Sequence, residues 1–267
     1  KKKVAFKMIP IGNQIQFKIK KDEEINFNPS QGTVSRGNVI CPCCNTGISA
    51  NETRSQFIAC ESRQRMVVVI LKHPDRIGKT HKLYHEAGSD ILQTNTFGAS
   101  YYRLKECGIA EHHDLVNQKA VEICRKYGGD SLVSGDIGPS GLLLEPLGPA
   151  TLGELENAFY RQAVVLEKVG VDLFSIETMI DIEEAVLAVK AIRNISEKPI
   201  IANMTYSQTG NGYYTVMGNS LAECTQKFLD AGADIIGTNC NLDSVELHEL
   251  AEELLSLTTT PISIKPN

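Results

Sequence analysis

The sequence predicts an α/β fold built on a parallel sheet, and two observations carry that prediction. Six apolar runs, at residues 90–95, 131–136, 171–177, 199–205, 234–240 and 261–267, each end in a polar or chemically competent residue. Between them lie segments with the 3.6-residue periodicity of amphipathic helices. Alternating strands and helices pair as parallel strands with right-handed crossovers. The carboxyl ends of all strands then share one side of the sheet, the side on which such folds bind ligands. Asn95, Asp136, Glu177, Asn203 and Cys240 are expected to converge there, although they are far apart in the chain. Periodicity alone leaves two closures open, a doubly wound sheet or a barrel.

The elements follow in order. Residues 5–9 and 15–19 alternate apolar with polar and predict two half-buried strands, with Ile11-Gly12-Asn13 as the turn of a hairpin. Residues 28–32, Asn-Pro-Ser-Gln-Gly, predict a loop. The continuous apolar run 66–71 predicts a buried strand. Pro74 suits the first turn of a helix that ends at Gly88. Residues 115–126, 152–169, 182–195, 221–231 and 245–256 predict further helices. Gly128, Gly170 and Gly232 stand where a left-handed helix end is needed, and Asp181 and Asp243 where N-caps belong.

Charge divides the chain. Residues 1–72 hold twelve Lys/Arg against five Asp/Glu, a balance of +7; the rest holds fifteen against twenty-seven, −12. The split predicts two modules, a small basic β-rich module at 1–72 and an α/β module at 73–267. No run reaches the ~18 apolar residues of a membrane span, and no leader peptide is recognisable. A cytoplasmic protein without a membrane partner is expected. The eight cysteines then favour metal sites or thiols over a disulfide framework.

Each candidate residue has a plain alternative. Cys240, at a strand end, is a nucleophile or zinc ligand if ionised, or else a buried apolar cysteine. Glu177 binds an ammonium or acts as a base, or else partners a neighbouring helix. Asp136 begins Asp-Ile-Gly-Pro-Ser-Gly, whose glycines allow close approach of a ligand to backbone; alternatively it caps its own turn. Asn95 carries the same ambiguity.

Four segments taken together are specific. Residues 94–100 (TNTFGAS), 135–141 (GDIGPSG), 176–179 (IETM) and 237–240 (GTNC) resemble the homocysteine S-methyltransferase family, which includes betaine–homocysteine methyltransferase and the homocysteine module of cobalamin-dependent methionine synthase. The resemblance covers about residues 73–267. It implies a (β/α)8 TIM-type barrel, here incomplete at both ends. It implies an enzyme that transfers a methyl group to homocysteine thiolate to form methionine. The methyl donor would be methyl-cobalamin on a partner domain, betaine or S-methylmethionine. Cys240 would be a zinc ligand, Glu177 would hold the substrate amino group, and Asn95, Asp136 and Asn239 would shape the rim. Zinc makes a thiolate available where a free thiol of pKa near 8.5 is mostly protonated. The family's other two zinc cysteines, an adjacent pair in a Gly-Gly-Cys-Cys motif, have no counterpart after Cys240. Its first strand is not recognisable before His73, and the run at 261–267 corresponds to its seventh. The chain is therefore expected to be inactive by itself, as if cut from something longer.

In the basic module, Cys41-Pro-Cys-Cys44 contains a CxxC pair, with Cys60 and His73 as further candidate ligands at irregular spacing. Residues 32–44 resemble a cysteine-containing segment of adenine-specific DNA methylases. That resemblance implies the alternative function: a zinc-ribbon-like module associated with nucleic acid, DNA included, fused to a non-functional barrel fragment. Its alternative is a small β module solvated by lysines. Two readings of the junction compete, a composite of fragments or a natural extension in which residues 67–71 supply barrel strand one.

Overall fold

The computed structural model describes residues 5–11, 14–20, 64–243 and 245–265, with side chains from Val67 onward. The cysteines Cys41, Cys44 and Cys60, the loop at 28–32, the turn at Gly12-Asn13 and the DNA-methylase-like segment lie outside the described residues.

The first two strands, β1 (Ala5–Ile11) and β2 (Gln14–Lys20), pair antiparallel with Ile11 opposite Gln14. The predicted turn lies between them, and the hairpin belongs to a compact unit separate from the α/β body.

The α/β body begins with α1 (Gln64–Lys72). This corrects the expectation of a strand at 66–71. The β-branched run Val67-Val68-Val69 has strand propensity, but burial follows a helical stripe. Val67 and Ile70, three apart, are 1% exposed and pack with Leu104, Val116, Ala120 and Ile123. Tertiary packing thus overrides propensity, and the run cannot serve as barrel strand one.

From α2 (Pro74–Glu86) onward the β–α rhythm holds: β3 (Ile91–Gln93), α3 (Tyr101–Glu106), α4 (His113–Tyr127), β4 (Leu132–Ile137), α5 (Leu152–Val169), β5 (Leu173–Met179), α6 (Ile182–Arg193), β6 (Ile200–Met204), the hairpin β7 (Ser207–Thr209) and β8 (Gly212–Tyr214), α7 (Leu221–Ala231), β9 (Ile235–Asn239), α8 (Glu246–Leu257) and β10 (Ile262–Lys265). Six strands form one parallel sheet in the order β10-β9-β6-β5-β4-β3. Among the described residues no helix is long and apolar enough to cross a membrane.

Local chemistry accounts for the helix ends. Thr151 and Glu154 form a reciprocal capping box on α5, and the Asp181 and Ser220 side chains cap α6 and α7. Asp243, two residues before the cap position at Val245, accepts from the backbone N–H of Val245 and Glu246 at the start of α8. Gly170 and Gly232 take the left-handed conformation, at φ 91° and 94°. Gly128 does not; its φ is −88°. A Cβ there would lie 2.5 Å from Leu92 and 2.7 Å from the Cys124 carbonyl, so this glycine serves close packing instead.

At the amino ends of the strands one device appears twice. Asp172 accepts from Val133 N–H (2.6 Å) and pairs with Arg125, while Asp234 accepts from Ile200 N–H (2.8 Å) and pairs with Arg193. Each aspartate joins two strands to a helix.

Register divides the sheet into two faces. Leu92, Val133, Ile137, Phe174, Ile176, Ile200, Ala202, Met204 and Ile236 face the helices and form the main core with Phe159, Leu166 and Phe228. The opposite face carries, at its carboxyl end, Gln93, Asp136, Glu177, Asn203 and Lys265. Lys265 pairs with Glu177 although β10 and β5 are three places apart. In a flat sheet that is roughly 14 Å at ~4.8 Å per strand, too far for the two side chains. The sheet is curled, and the polar face is its concave inside: part of a TIM-type barrel rather than a doubly wound sheet.

Candidate functional site at the carboxyl ends of the strands

Five of the six predicted strand ends reach this mouth; the sixth run, 261–267, is described through Lys265, which reaches it as well, and its end at Asn267 lies outside the described residues. Backbone strain marks it as well. Among the described residues the non-glycine positions with left-handed φ are Thr178 (56°), Cys240 (61°) and Asn241 (68°). Such positions cost of order 1 kcal/mol each and gather at functional sites. Thr178 sits in a bulge of β5: Ile176 opposes Ala202 and Met179 opposes Met204, leaving an extra residue on β5. The bulge turns Thr178 toward the end of β9. Its N–H donates to Asn239 Oδ1 (2.8 Å), and Asn239 Nδ2 donates to Thr178 Oγ1 (2.8 Å). Cys240 Sγ lies 3.6 Å from Thr178 Oγ1 and 3.4 Å from Asn239 Nδ2. Asn241 Nδ2 holds the following turn through the Tyr206 carbonyl (3.0 Å) and Ser207 Oγ (2.9 Å). The thiol therefore sits one residue past β9 and is bracketed by the neighbour of Glu177.

Glu177 is fully buried. Its Oε1 accepts from Gln93 Nε2 (2.6 Å), Ser175 Oγ (3.1 Å) and Lys265 Nζ, while Oε2 is buried without a partner among the described residues. Asp136 is equally buried, and neither carboxylate oxygen has a hydrogen-bond partner there. Burial pushes its carboxyl well above the usual range; the Glu177 charge adds to this and Lys265 partly offsets it. Asp136 does not cap its own turn. Its backbone is held instead: Thr94 Oγ1 accepts from its N–H (3.0 Å), and Thr96 Oγ1 donates to its carbonyl (2.6 Å). The same threonines flank Asn95, whose Nδ2 is buried without a partner among the described residues. Asn203 is 0% exposed, and neither of its amide atoms has a partner among the described residues.

The glycines of the loop after β4 correct one expectation. A Cβ at Gly138 would lie 2.5 Å from the Phe97 ring, and one at Gly141 2.4 Å from the Arg103 guanidinium. These positions make room for protein neighbours rather than for a ligand. The loop is pinned by the buried Glu184, which accepts from Ser140 N–H (2.8 Å) and Oγ (2.6 Å).

Sequence reasoning identifies Asn95, Asp136, Glu177, Asn203, Asn239 and Cys240 but not Gln93, Ser175, Thr178 or Lys265. Lys265 has a signal: it lies in the sixth apolar run at nearly the same offset from its strand as the other candidates.

The described residues do not by themselves fit a catalytic zinc centre, which takes three protein ligands. Among them no group of three or more His, Cys, Asp or Glu side chains is arranged to hold a metal. Cys124 and Cys224 are buried in α4 and α7, and burial pushes their thiols up to about 12 and about 11. They are protonated packing residues.

The homocysteine S-methyltransferase family profile matches residues 34–267. The match begins well before His73 and takes in Cys41, Cys43, Cys44 and Cys60, which does not favour the nucleic-acid alternative. Betaine–homocysteine S-methyltransferase 1 of Rattus norvegicus is 34% identical over 179 residues, 65% of this chain and 42% of that protein. Methionine synthase of Mycobacterium tuberculosis is 28% identical over 206 residues, 73% of this chain and 17% of that protein. The chain thus spans 42% of the length of the first curated relatives it matches. In structure, the metallated form of the homocysteine methyltransferase MmuM from Escherichia coli superposes with a TM-score of 0.65 at 17% identity over 79% of each chain, which agrees with the barrel-type fold. By the extent of the profile match, the chain belongs to the homocysteine S-methyltransferase family.

Proposed function

We propose that the concave mouth binds homocysteine as the acceptor of a methyl group, and that this chain needs metal ligands from elsewhere to turn over. The observation that supports this most directly is the Glu177–Thr178–Cys240 juxtaposition. A buried carboxylate suits an ammonium, and a thiol held 3.6 Å from the hydroxyl of the next residue, Thr178, suits sulfur. Together they describe an amino acid with a short thiol-bearing side chain.

In this reading Glu177 and Asp136 hold the ammonium, Asn239 fixes the turn that carries Cys240, and Asn95 lines the rim. Cys240 is assigned as the one zinc ligand among the described residues. Zinc, the methyl donor (betaine, S-methylmethionine or a methyl-cobalamin domain) and the methionine product follow from the family. Cys41 and Cys44 remain candidates for a separate metal site, in the segment before α1, which itself packs in the α/β body.

The test is zinc per chain by elemental analysis together with calorimetric titration of L-homocysteine, on the native chain and on Cys240→Ala and Glu177→Gln. Loss of zinc and of affinity in Cys240→Ala is the expected result. Glu177→Gln removes a charged hydrogen bond worth about 1.5–3 kcal/mol, so its affinity falls roughly 10- to 150-fold. Affinity unchanged in both variants would remove the mouth as the homocysteine site. Zinc indifferent to Cys240 would place the metal with Cys41–Cys44.

A further inference from the structure

The Lys265–Glu177 pair lies inside the proposed amino-acid site, yet homocysteine binding through Glu177 and Cys240 gives the lysine no role. We propose that it is an exchangeable ion pair. The ammonium of the bound amino acid takes the place of Lys265 on Glu177, and Lys265 receives the amino acid's α-carboxylate. This inference rests on the amino-acid reading above and adds a specificity-determining residue to it.

Three observations carry it. The first is an imbalance of partners. Glu177 Oε1 has three donors while its Oε2, both oxygens of Asp136 and both amide atoms of Asn203 have none among the described residues, although all three side chains are fully buried. Buried polar groups are almost always satisfied, so a cluster of five open atoms on one concave face points to a polar ligand.

The second is charge. The buried Glu177 carboxylate and the Asp136 carboxyl, which burial holds toward its neutral form, face one ammonium, that of Lys265. A ligand that brings only a positive group would leave Lys265 displaced without a partner. A zwitterion brings both signs: its ammonium completes Glu177 and Asp136, and its carboxylate completes Lys265.

The third is reach. Lys265 stands at the end of β10, opposite Asn239, and extends across the concave face to Glu177 and Ser175 Oγ (3.2 Å). A four-carbon stem carrying a point charge can swing between two anionic partners. Its side chain is 14% exposed against 1% for Glu177, so it lies on the open side of the pair, where a ligand enters.

The test uses ligands that do not depend on a metal–thiolate bond: L-methionine and L-methioninamide, which match in shape and differ in the carboxylate charge. Both are titrated calorimetrically at about pH 6.5, below the ordinary α-amino pKa of about 7.7, into the native chain and into Lys265→Met. The native chain is expected to prefer L-methionine by about tenfold or more. Lys265→Met is expected to lose that preference through weaker L-methionine binding, with the amide bound equally well or better. A native chain that binds both ligands equally overturns the exchange without any variant, even if Lys265→Met does not fold. A variant that keeps the preference overturns it as well. A native chain that binds neither ligand overturns the exchange, while the amino-acid reading stands or falls separately on the L-homocysteine titration described above.

Discussion

Gly237 tests whether the concave face is built as described. It lies on β9 opposite Ser263 of β10. A Cβ there would stand 1.8 Å from the Ser263 carbonyl oxygen and 2.9 Å from Asn203 Oδ1. Close C···O contacts sit at about 3.3 Å, so Gly237→Ala forces β10 outward by about 1.5 Å. Ladder bonds of ordinary length would then exceed ~4 Å and cease to be hydrogen bonds. Ile262, 4% exposed, would lose burial worth about 1.5–3 kcal/mol, and each ladder bond adds about 1. The expected cost is about 3–5 kcal/mol, read as a lower urea midpoint, with faster amide exchange at residues 262–265. Gly153 is the counterpart. It sits in the first turn of α5 with nothing within 4 Å of an added Cβ. Gly153→Ala should stabilise by up to about 1 kcal/mol through helix propensity. If Gly237→Ala falls within about 0.5 kcal/mol of the native chain, the tight β9–β10 register and the placement of Lys265 that depends on it are wrong.

Two further outcomes concern pH. His81 is 5% exposed, its Nε2 has no partner among the described residues, and burial lowers its pKa to about 4. It is neutral when folded and takes up a proton on unfolding below about 6.5, so stability falls as pH drops through that window. The loss is about 2 kcal/mol between pH 7.5 and 5, tending to about 3; His81→Gln should flatten the slope of urea midpoint against pH, and parallel slopes would refute the assignment. Asp136 has the opposite sign. A carboxyl raised by burial supports the fold below its unfolded pKa and loses that contribution as pH rises through the folded value. Asp136→Asn should therefore unfold at higher urea than the native chain near pH 7.5, with the gain shrinking toward pH 4; a variant less stable at pH 7.5 would mean the carboxylate is satisfied after all.

Much of this fold is legible in the sequence because the central strands are buried on both faces, read as continuous apolar runs and end in polar residues. The helices at 152–169 and 221–231 match α5 and α7 to the residue, since capping residues and left-handed glycines mark both ends. The run 66–71 misleads because a short β-branched stretch reads alike as strand or helix; only the neighbours of Val67 and Ile70 decide. The β7–β8 hairpin escapes a reading by apolar runs, although Gly210-Asn211 is a turn signal between two short polar runs. In the site, residue type exposes the strand-end carboxylates and Cys240. It does not expose Thr178, whose role comes from a bulge, or Gln93 and Lys265, whose roles come from curling that brings strands two and three places apart within reach of Glu177.

The distribution of cost in this half-barrel argues for binding rather than mere packing. The convex face is apolar and closed by helices, and it holds the main core. The concave face contains left-handed Thr178 and Cys240 and the unpartnered atoms of Asp136, Glu177 and Asn203. Each of these opposes folding, and they lie together on one face at the strand ends. Buried atoms without a partner also occur elsewhere among the described residues, at His81, Tyr84, His113, Gln162, Thr225 and Thr238, but the five on Asp136, Glu177 and Asn203 stand on three adjacent strand ends. Their concentration beside a lysine drawn across the sheet is what a pocket for a small zwitterion requires. It also explains why one substitution expected to stabilise the chain, Asp136→Asn, removes a group proposed to hold the amino acid.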